Sequence, residues 1–316
     1  MILLLETVHP DAHEILLDVD RVHLVPDLST FDPTDHSGVR AIVTRGLGQV
    51  PAEVVAACPD LAVVARCGAG LDNIDTDACL AADVAVVHAP GLTTSAVAEQ
   101  AVMLMLAVGR RLTHVDREVK RGNWAVREGF TSTEMRGKRL GIVGYGAIGE
   151  RVAEFGHAFG MDVVCTTRRS SGVDVPRLEL DELLATSDVI QLCVPLTDET
   201  RGMIGARQFA TMQPSAIVVN TARGPVVDHG ALADALEAGA LAGYGADVWD
   251  PEPPSSGDRV LAHPSTAVTP HVAGLTDTTY REICVRPASS VARILRGEAP
   301  DSACLFGHAV ESGGST

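Results

Sequence analysis

Aromatic residues are scarce in this chain: two Trp, three Tyr and six Phe make up 3% of 316 residues. Hydrophobic residues reach 46% all the same. The cores must therefore be built from Ala, Val, Leu and Ile, a mixture that suits helices packed on buried parallel sheets. Positive charge is also short. Lys and Arg number 25 against 41 Asp and Glu, a formal charge of −16. No basic run offers the phosphate-neutralising face of a nucleic-acid binder, so no nucleic acid is expected as a partner. The acidity reads as solubility. The seven cysteines include no C-x-x-C pair, so neither a zinc site nor a redox dithiol is expected, and no metal is assigned. An odd number of thiols behind a short apolar start without a basic n-region points to reduced cysteines and a cytoplasmic protein. No apolar run approaches the ~20 residues of a membrane span. The longest candidate, 96–108, is interrupted by Glu99 and Gln100.

What is present is alternation. A domain usually holds roughly 100–200 residues, so two are expected. Short apolar strands are predicted at Ile2–Leu5, Val22–Val25, Arg40–Val43, Leu61–Ala65 and Val84–Val87, with helices at Ala52–Ala57 and Thr76–Ala81. Strands alternating with helices predict βαβ units and a parallel sheet. A long helix over Thr94–Leu112 follows, with Val97, Ala101, Leu104 and Val108 at helical spacing. The segment from Thr113 to Lys138 reads as a helix and then an arm, which either wraps a partner subunit or runs over the surface. A homodimer is the expected assembly. A second alternating set has strands at Leu140–Val143, Asp162–Thr166, Val189–Val194, Ala216–Asn220, Gly243–Val248 and Ala267–Thr269. Its helices lie near Ala147–Phe159, Leu178–Ala185, Ala206–Met212 and Ala231–Ala238. The final helix, about Thr276–Leu295, leads back to the first domain. The expected fold is α/β: two Rossmann-like domains with parallel sheets. A discontinuous, flavodoxin-like substrate domain spans 1–95 plus 286–316, and a dinucleotide-binding domain spans 96–285.

The strongest local motif is Gly144-Tyr145-Gly146-Ala147-Ile148-Gly149, set between a predicted strand and a predicted helix. The first glycine permits the tight turn, the second admits a pyrophosphate to the backbone, and the third lets helix and strand pack closely. Gly144, Gly146, Ala147 and Ile148 are the candidate contacts to the dinucleotide, with its charge stabilised by the helix N-terminus. About 20 residues on, where an NAD-specific site carries Asp or Glu, the chain reads Thr167-Arg168-Arg169. Arginine and a hydroxyl would bind a 2′-phosphate that a carboxylate would repel. The cofactor is therefore NAD(P), with NADP(H) favoured over NAD(H).

Three later segments, VNTARGPVVDHGAL, GADVWDPEPP and TPHVAGLT, each follow a predicted strand. They place polar residues at strand C-terminal ends, where open α/β sheets bind ligands. With GYGAIG, CGAGLDNID and CVPLTDET, they resemble the D-isomer-specific 2-hydroxyacid dehydrogenase family, nearest to its phosphoglycerate dehydrogenase-like branch through RCGAGLDNID. The resemblance runs from about Val63 to Thr276. It implies an oxidoreductase that interconverts a small 2-oxo acid and its D-2-hydroxy acid. It also implies that Arg223 binds the substrate carboxylate and carbonyl, that His271 exchanges the proton, and that Glu252 pairs with His271. Elementary chemistry agrees: an arginine fork matches a carboxylate beside a carbonyl, and histidine exchanges protons near neutral pH.

By the same resemblance, the backbone of Cys67, Gly68, Ala69 and Gly70 would hold the substrate carboxylate. Arg66 would face a second anionic group such as phosphate or phosphonate. Asp247 would hold the nicotinamide carboxamide, Val194, Pro195 and Thr200 would line the cofactor pocket beside Thr221 and Ala222, and Gly274 would approach the nicotinamide. The chain departs from the family in three places. A regulatory extension after the last helix is not expected, the stretch from Glu252 to His271 is short, and no acidic residue stands at Thr167. Two alternatives stay open. One is a non-enzymatic dinucleotide sensor like the corepressors that resemble this family. The other is hydride transfer from another small anion, formate or phosphite.

Overall fold

Runs rich in Val, Ile, Leu and Ala, closed by Gly, Pro and Asp, form the strands of two all-parallel sheets. The computed structural model describes residues 1–25, 32 and 38–307. Contacts divide the chain into one unit of Met1–Thr93 with Gly274–Thr316 and another of Thr94–Ala273.

In the first unit, β1 (Ile2–Leu4), β2 (Val22–Leu24), β3 (Ala41–Thr44), β4 (Val63–Arg66) and β5 (Ala85–Val87) pair in the order β2-β1-β3-β4-β5. That is the flavodoxin-like order. Side chains alternate between faces. Ile2, Leu4, Val43 and Ala65 pack with Leu16, Ile283 and Val291. These come from α1 (Pro10–Leu17) and α11 (Asp277–Leu295). Leu3, Ile42, Val64 and Val86 pack on the other face with Val54, Val55 and Cys79, from α2 (Ala52–Ala57) and α3 (Thr76–Ala81). Helix α1 is an addition to the sequence reading. It buries only Ala12 and Leu16, too few to show a period, although Pro10 at its first position is a start signal. The boundary at 286 is corrected. The chain returns at Gly274, ahead of α11, because the whole helix packs on this sheet and on α1.

In the second unit, β6 (Arg139–Val143), β7 (Asp162–Thr166), β8 (Val189–Leu192), β9 (Ile217–Asn220), β10 (Gly243–Ala246) and β11 (Thr266–Val268) pair in the order β11-β10-β9-β8-β6-β7. A single parallel bridge, Cys165 to Arg177, lies outside β7. Counting it as a vestigial third strand gives the Rossmann order. The helices are α4 (Thr94–Gly109), α5 (Leu112–Lys120), α6 (Ala147–Ala158), α7 (Leu180–Thr186), α8 (Ala206–Thr211), α9 (His229–Glu237) and α10 (Arg259–Ala262). The long helix expected to reach Leu112 stops at Gly109. Arg111 is left-handed at φ 53°, and a non-glycine residue there breaks the helical path. A 3-10 turn at Trp124–Arg127 follows α5. Among the described residues no helix is long and apolar enough to cross a membrane.

One buried carboxylate organises the loop after β3. Glu6 accepts hydrogen bonds from Thr44 Oγ1 at 2.9 Å and from the amides of Arg45, Gly46, Leu47 and Gly48 at 2.8, 2.8, 3.0 and 3.1 Å. Burial by itself would raise its pKa, but these donors outweigh burial and hold it below the ordinary value of 4.5. A depressed carboxylate contributes stability above its unfolded pKa and loses it as pH falls through its folded pKa. Glu6→Gln is expected to cost roughly 2 kcal/mol near neutral pH, the scale of hydrogen bonds to a charged group. In urea unfolding the gap from wild type should close as pH drops below the ordinary carboxylate range. A gap that persists in acid would contradict this account.

Candidate active site

The turn from β6 into α6 is built by contact as well as by conformation. Gly144 has φ +95°, and a Cβ there would lie 2.7 Å from the carbonyl oxygen of Cys193. A Cβ on Gly149 would lie 2.5 Å from the Gly144 carbonyl oxygen. A Cβ on Gly146 would meet nothing within 4 Å. The outer glycines are therefore demanded by packing, and the middle one faces open space at the start of a 12-residue helix with no side-chain cap. Unused amides and a favourable dipole at that end suit a pyrophosphate, so these residues fit a dinucleotide. Ala147 and Ile148 open the helix.

At the end of β7, Arg169 Nη1 donates to the Tyr145 carbonyl at 3.0 Å and is paired with Glu150. Arg168 Nη1 meets Glu199 at 2.6 Å. Thr167 Oγ1 accepts from the Arg169 amide at 3.2 Å. The Tyr145 hydroxyl, in the glycine turn itself, donates to Asp174. Val194 touches the same turn, since a Cβ on Gly144 would also come within 2.9 Å of its side chain. The Thr200 hydroxyl closes its own loop on the Pro195 carbonyl at 2.7 Å, and Thr221 Oγ1 accepts from Gln191 at 3.0 Å. Thr221 and Ala222 are both buried.

Arg223, Glu252 and His271 leave the ends of β9, β10 and β11. Asn220 brackets the first loop, with Nδ2 donating to the Arg223 carbonyl and Oδ1 accepting from the Ala222 amide, both at 3.0 Å. Arg223 Nη1 donates to the Ala222 carbonyl at 2.7 Å. Glu252 Oε1 accepts from the Trp249 amide at 2.9 Å, and Oε2 lies 2.8 Å from His271 Nδ1. Burial would raise the pKa of Glu252, but the His271 bond and charge, the Trp249 amide and the Arg223 charge hold it below its ordinary value. An ionised carboxylate can only accept, so His271 Nδ1 carries the proton of this bond. Nε2 takes no part in this bond. His271 itself is left-handed at φ 55°. Asp247, buried beneath it, holds the loop. Its carboxylate accepts from Thr269 Oγ1 at 2.6 Å and from the amides of Val272 and Ala273 at 2.9 Å, while its carbonyl accepts from the His271 amide at 2.8 Å. Among the described residues no group of three His, Cys, Asp or Glu side chains is placed to hold a metal.

The first unit carries the remaining candidates. The turn Cys67-Gly68-Ala69-Gly70 follows β4. The Gly68 carbonyl accepts from the Ala89 amide at 2.8 Å, and the Arg66 guanidinium lies against Gly68. His88 Nδ1 is 2.8 Å from the Ala69 carbonyl. Burial, with help from the Arg66 charge, pushes the His88 pKa down despite that bond. A neutral ring then donates through Nδ1, which fixes the turn. Gly274 packs near Thr93.

Comparison with known proteins decides the family. Residues 102–273 match the model of the D-isomer specific 2-hydroxyacid dehydrogenase NAD binding domain. A glyoxylate reductase of Aeropyrum pernix is 35% identical over 82% of this chain and 81% of its own length. The chain belongs to the D-isomer-specific 2-hydroxyacid dehydrogenase family. A D-3-phosphoglycerate dehydrogenase of Archaeoglobus fulgidus is 39% identical over 90% of this chain and 53% of its own. The chain thus spans about half the length of the phosphoglycerate dehydrogenases it matches. The crystal structure of the TT0316 protein of Thermus thermophilus superposes with a TM-score of 0.90 at 32% identity, covering 96% of this chain and 99% of that one.

Within this family member, sequence reasoning passed over Trp249, Gln100 and Glu6. Gln100 Nε2 donates to Thr269 Oγ1 at 2.8 Å and so supports the loop that carries His271. In the sequence it reads as an interruption of an apolar run, and a Gln in an otherwise apolar helix is the one local signal of such a role. A second packing demand is sharper. A Cβ on Gly224 would fall 1.9 Å from the Trp249 carbonyl oxygen. Gly224→Ala is expected to destabilise the fold by roughly 1–3 kcal/mol, as overpacking does. Gly146→Ala, whose Cβ meets open space, should leave stability within about 0.5 kcal/mol yet weaken dinucleotide binding at least about tenfold by blocking close approach. Urea unfolding and cofactor titration of both variants check the contrast. Equal stability losses would refute it.

Proposed function

We propose that this chain is an NAD(P)-dependent D-2-hydroxyacid dehydrogenase that interconverts a small 2-oxo acid and its D-2-hydroxy acid. The observation that carries this reading is the 2.8 Å contact of His271 Nδ1 with Glu252 Oε2, set beside Arg223 at the strand ends of a dinucleotide-binding unit. A bound nicotinamide supplies or takes up the hydride. Arg223 binds the planar carboxylate and polarises the adjacent carbonyl through its fork of donors. As the carbonyl carbon gains hydride, its oxygen takes a proton from His271 Nε2, and oxidation returns that proton to the same nitrogen. Glu252, ionised and hydrogen-bonded to Nδ1, orients the ring and stabilises the imidazolium. Asp247 is further assigned to the nicotinamide carboxamide. Val194, Pro195, Thr200, Thr221, Ala222 and Gly274 are assigned to the cofactor.

NADP(H) is the preferred cofactor. Arg168, Arg169 and Thr167 cluster at the end of β7, and exposed pairs such as Arg168 with Glu199 are weak enough to be exchanged for a phosphate. From the first unit, the turn Cys67-Gly68-Ala69-Gly70 is assigned to the substrate carboxylate and Arg66 to a second anionic group. The relatives' names supply one acid with phosphate and one without. The protein is proposed to act in the cytoplasm, in keeping with seven free thiols. A panel of 2-oxo acids with NADPH and NADH tests this reading. NADPH should give a kcat/KM at least about tenfold higher, the scale of a charge-assisted contact. Phosphorylated or phosphonate members should show the lowest KM, and Arg66→Ala should remove that advantage. A clear NADH preference, or no turnover of any member, would refute the corresponding part.

A second copy of this chain is the proposed partner. An apolar groove of about 570 Å³ is lined by Val102, Met103 and Leu106 of α4, Leu112 of α5, and Phe155 and Phe159 beside it. Met103 is 44% exposed, Leu112 54% and Trp124 67%, and α5 buries none of its own residues. Monomers rarely leave such an apolar face uncovered. The wild type should sediment as a dimer at micromolar concentration and Met103→Glu as a monomer. A monomeric wild type would overturn the assignment.

A further inference from the structure

Arg223, Glu252 and His271 hang from three different strands, so local structure alone does not set their mutual spacing. Trp249 touches all three segments. Its amide donates to Glu252 Oε1 at 2.9 Å. Its indole Nε1–H donates to the Thr269 carbonyl at 3.3 Å, two residues before His271. Its carbonyl oxygen lies against Gly224, where a Cβ would come within 1.9 Å, and Gly224 follows Arg223. We propose that Trp249 is a positioning residue that sets the spacing of Arg223, Glu252 and His271, acting on the histidine through its indole N–H. The proposal rests on the reaction proposed above.

The surroundings of the indole make that bond consequential. The side chain is buried, with Trp249 only 5% exposed, and a buried indole N–H needs a partner. The His229 ring stands edge-on to it, with centroids 5.7 Å apart at 87°. Both His229 ring nitrogens are buried and make no hydrogen bond. Burial pushes the His229 pKa down against the pull of Asp258, Asp250 and Asp228, and neither ring nitrogen takes the indole proton, which goes to the Thr269 carbonyl. The Thr269 carbonyl precedes Pro270, which has no N–H to share in fixing the loop, and His271 sits in a conformation that histidine seldom adopts unaided. Asp247 clamps this loop from below, and the indole holds its near end. A phenylalanine would keep an aromatic face in this space but could not hold the carbonyl.

Trp249→Phe keeps an aromatic ring and the backbone amide bond to Glu252, and removes the indole N–H together with the pyrrole half of the ring system, so its melting temperature is read beside its kcat. Its kcat with a 2-oxo acid should fall about tenfold, because small misplacements of a reacting group are costly. KM for the dinucleotide should stay within about twofold, and the solvent deuterium effect on kcat should rise as proton transfer becomes limiting. A lower melting temperature with unchanged kcat and isotope effect would reduce Trp249 to a packing residue and overturn the proposal. A second measurement needs neither turnover nor a folded variant at Trp249. The Trp249 indole N–H resonance of the wild type, assigned against Trp124→Phe, should exchange slowly with solvent and shift in His271→Asn. A freely exchanging resonance that ignores His271 would overturn the proposal. Wild-type inactivity toward every 2-oxo acid would instead sink the dehydrogenase reading, and the indole resonance would still decide this one.

Discussion

Asp247 follows β10 directly with its carboxylate sealed from solvent, and the three hydrogen bonds of that carboxylate are directed at the chain leaving β11. A buried charge without partners would be too costly to keep. The loop that satisfies it is therefore held as firmly as the charge is buried. The left-handed backbone of His271 persists because of this clamp. Once the histidine is placed, Glu252 has one direction in which to offer its second oxygen. Gly224, next to Arg223, is in turn held close against the Trp249 carbonyl that precedes Glu252. The chemistry proposed for the site thus depends on a carboxylate that takes no part in proton exchange.

A parallel architecture makes such a chain of dependence possible. Every strand of the sheet ends on the same edge, so segments separated by tens of residues emerge side by side. Glycines then regulate how closely the emerging loops approach. Gly144 and Gly149 bring backbone against backbone within the dinucleotide turn, and Gly224 does so between two strand-end loops. Gly146 is different, because its missing side chain leaves room for something other than protein.

Carboxylates play two distinct parts in this acidic chain. Glu6, Asp247 and Glu252 are held by amides, hydroxyls or the histidine, and Asp247, buried from solvent, sits where such bonds are strong. Glu150 and Glu199 pair with Arg169 and Arg168 in partly or largely exposed positions. Those pairs contribute little to stability.

The local parts of the molecule were legible in the sequence. All eleven strands predicted from apolar runs are present among the described residues, the inner ones because a strand buried on both faces must be apolar along its length. GYGAIG was legible because a turn into a helix is made by consecutive residues. Arg223, Glu252 and His271 were legible through their resemblance to a family, not through any spacing between them. Helix α1 was not, since two buried residues leave no period to detect. Neither was the return of the chain at Gly274, which is decided by where α11 packs. The five donors around Glu6, the bond from Gln100 to Thr269, and the contacts of Trp249 join residues that no local pattern connects. The sequence by itself determined which segments become strands and where a dinucleotide is cradled, because those follow from neighbours along the chain. Only the tertiary structure decided which side chains stand together at the strand ends, because burial and hydrogen bonding there are satisfied by residues brought close in space.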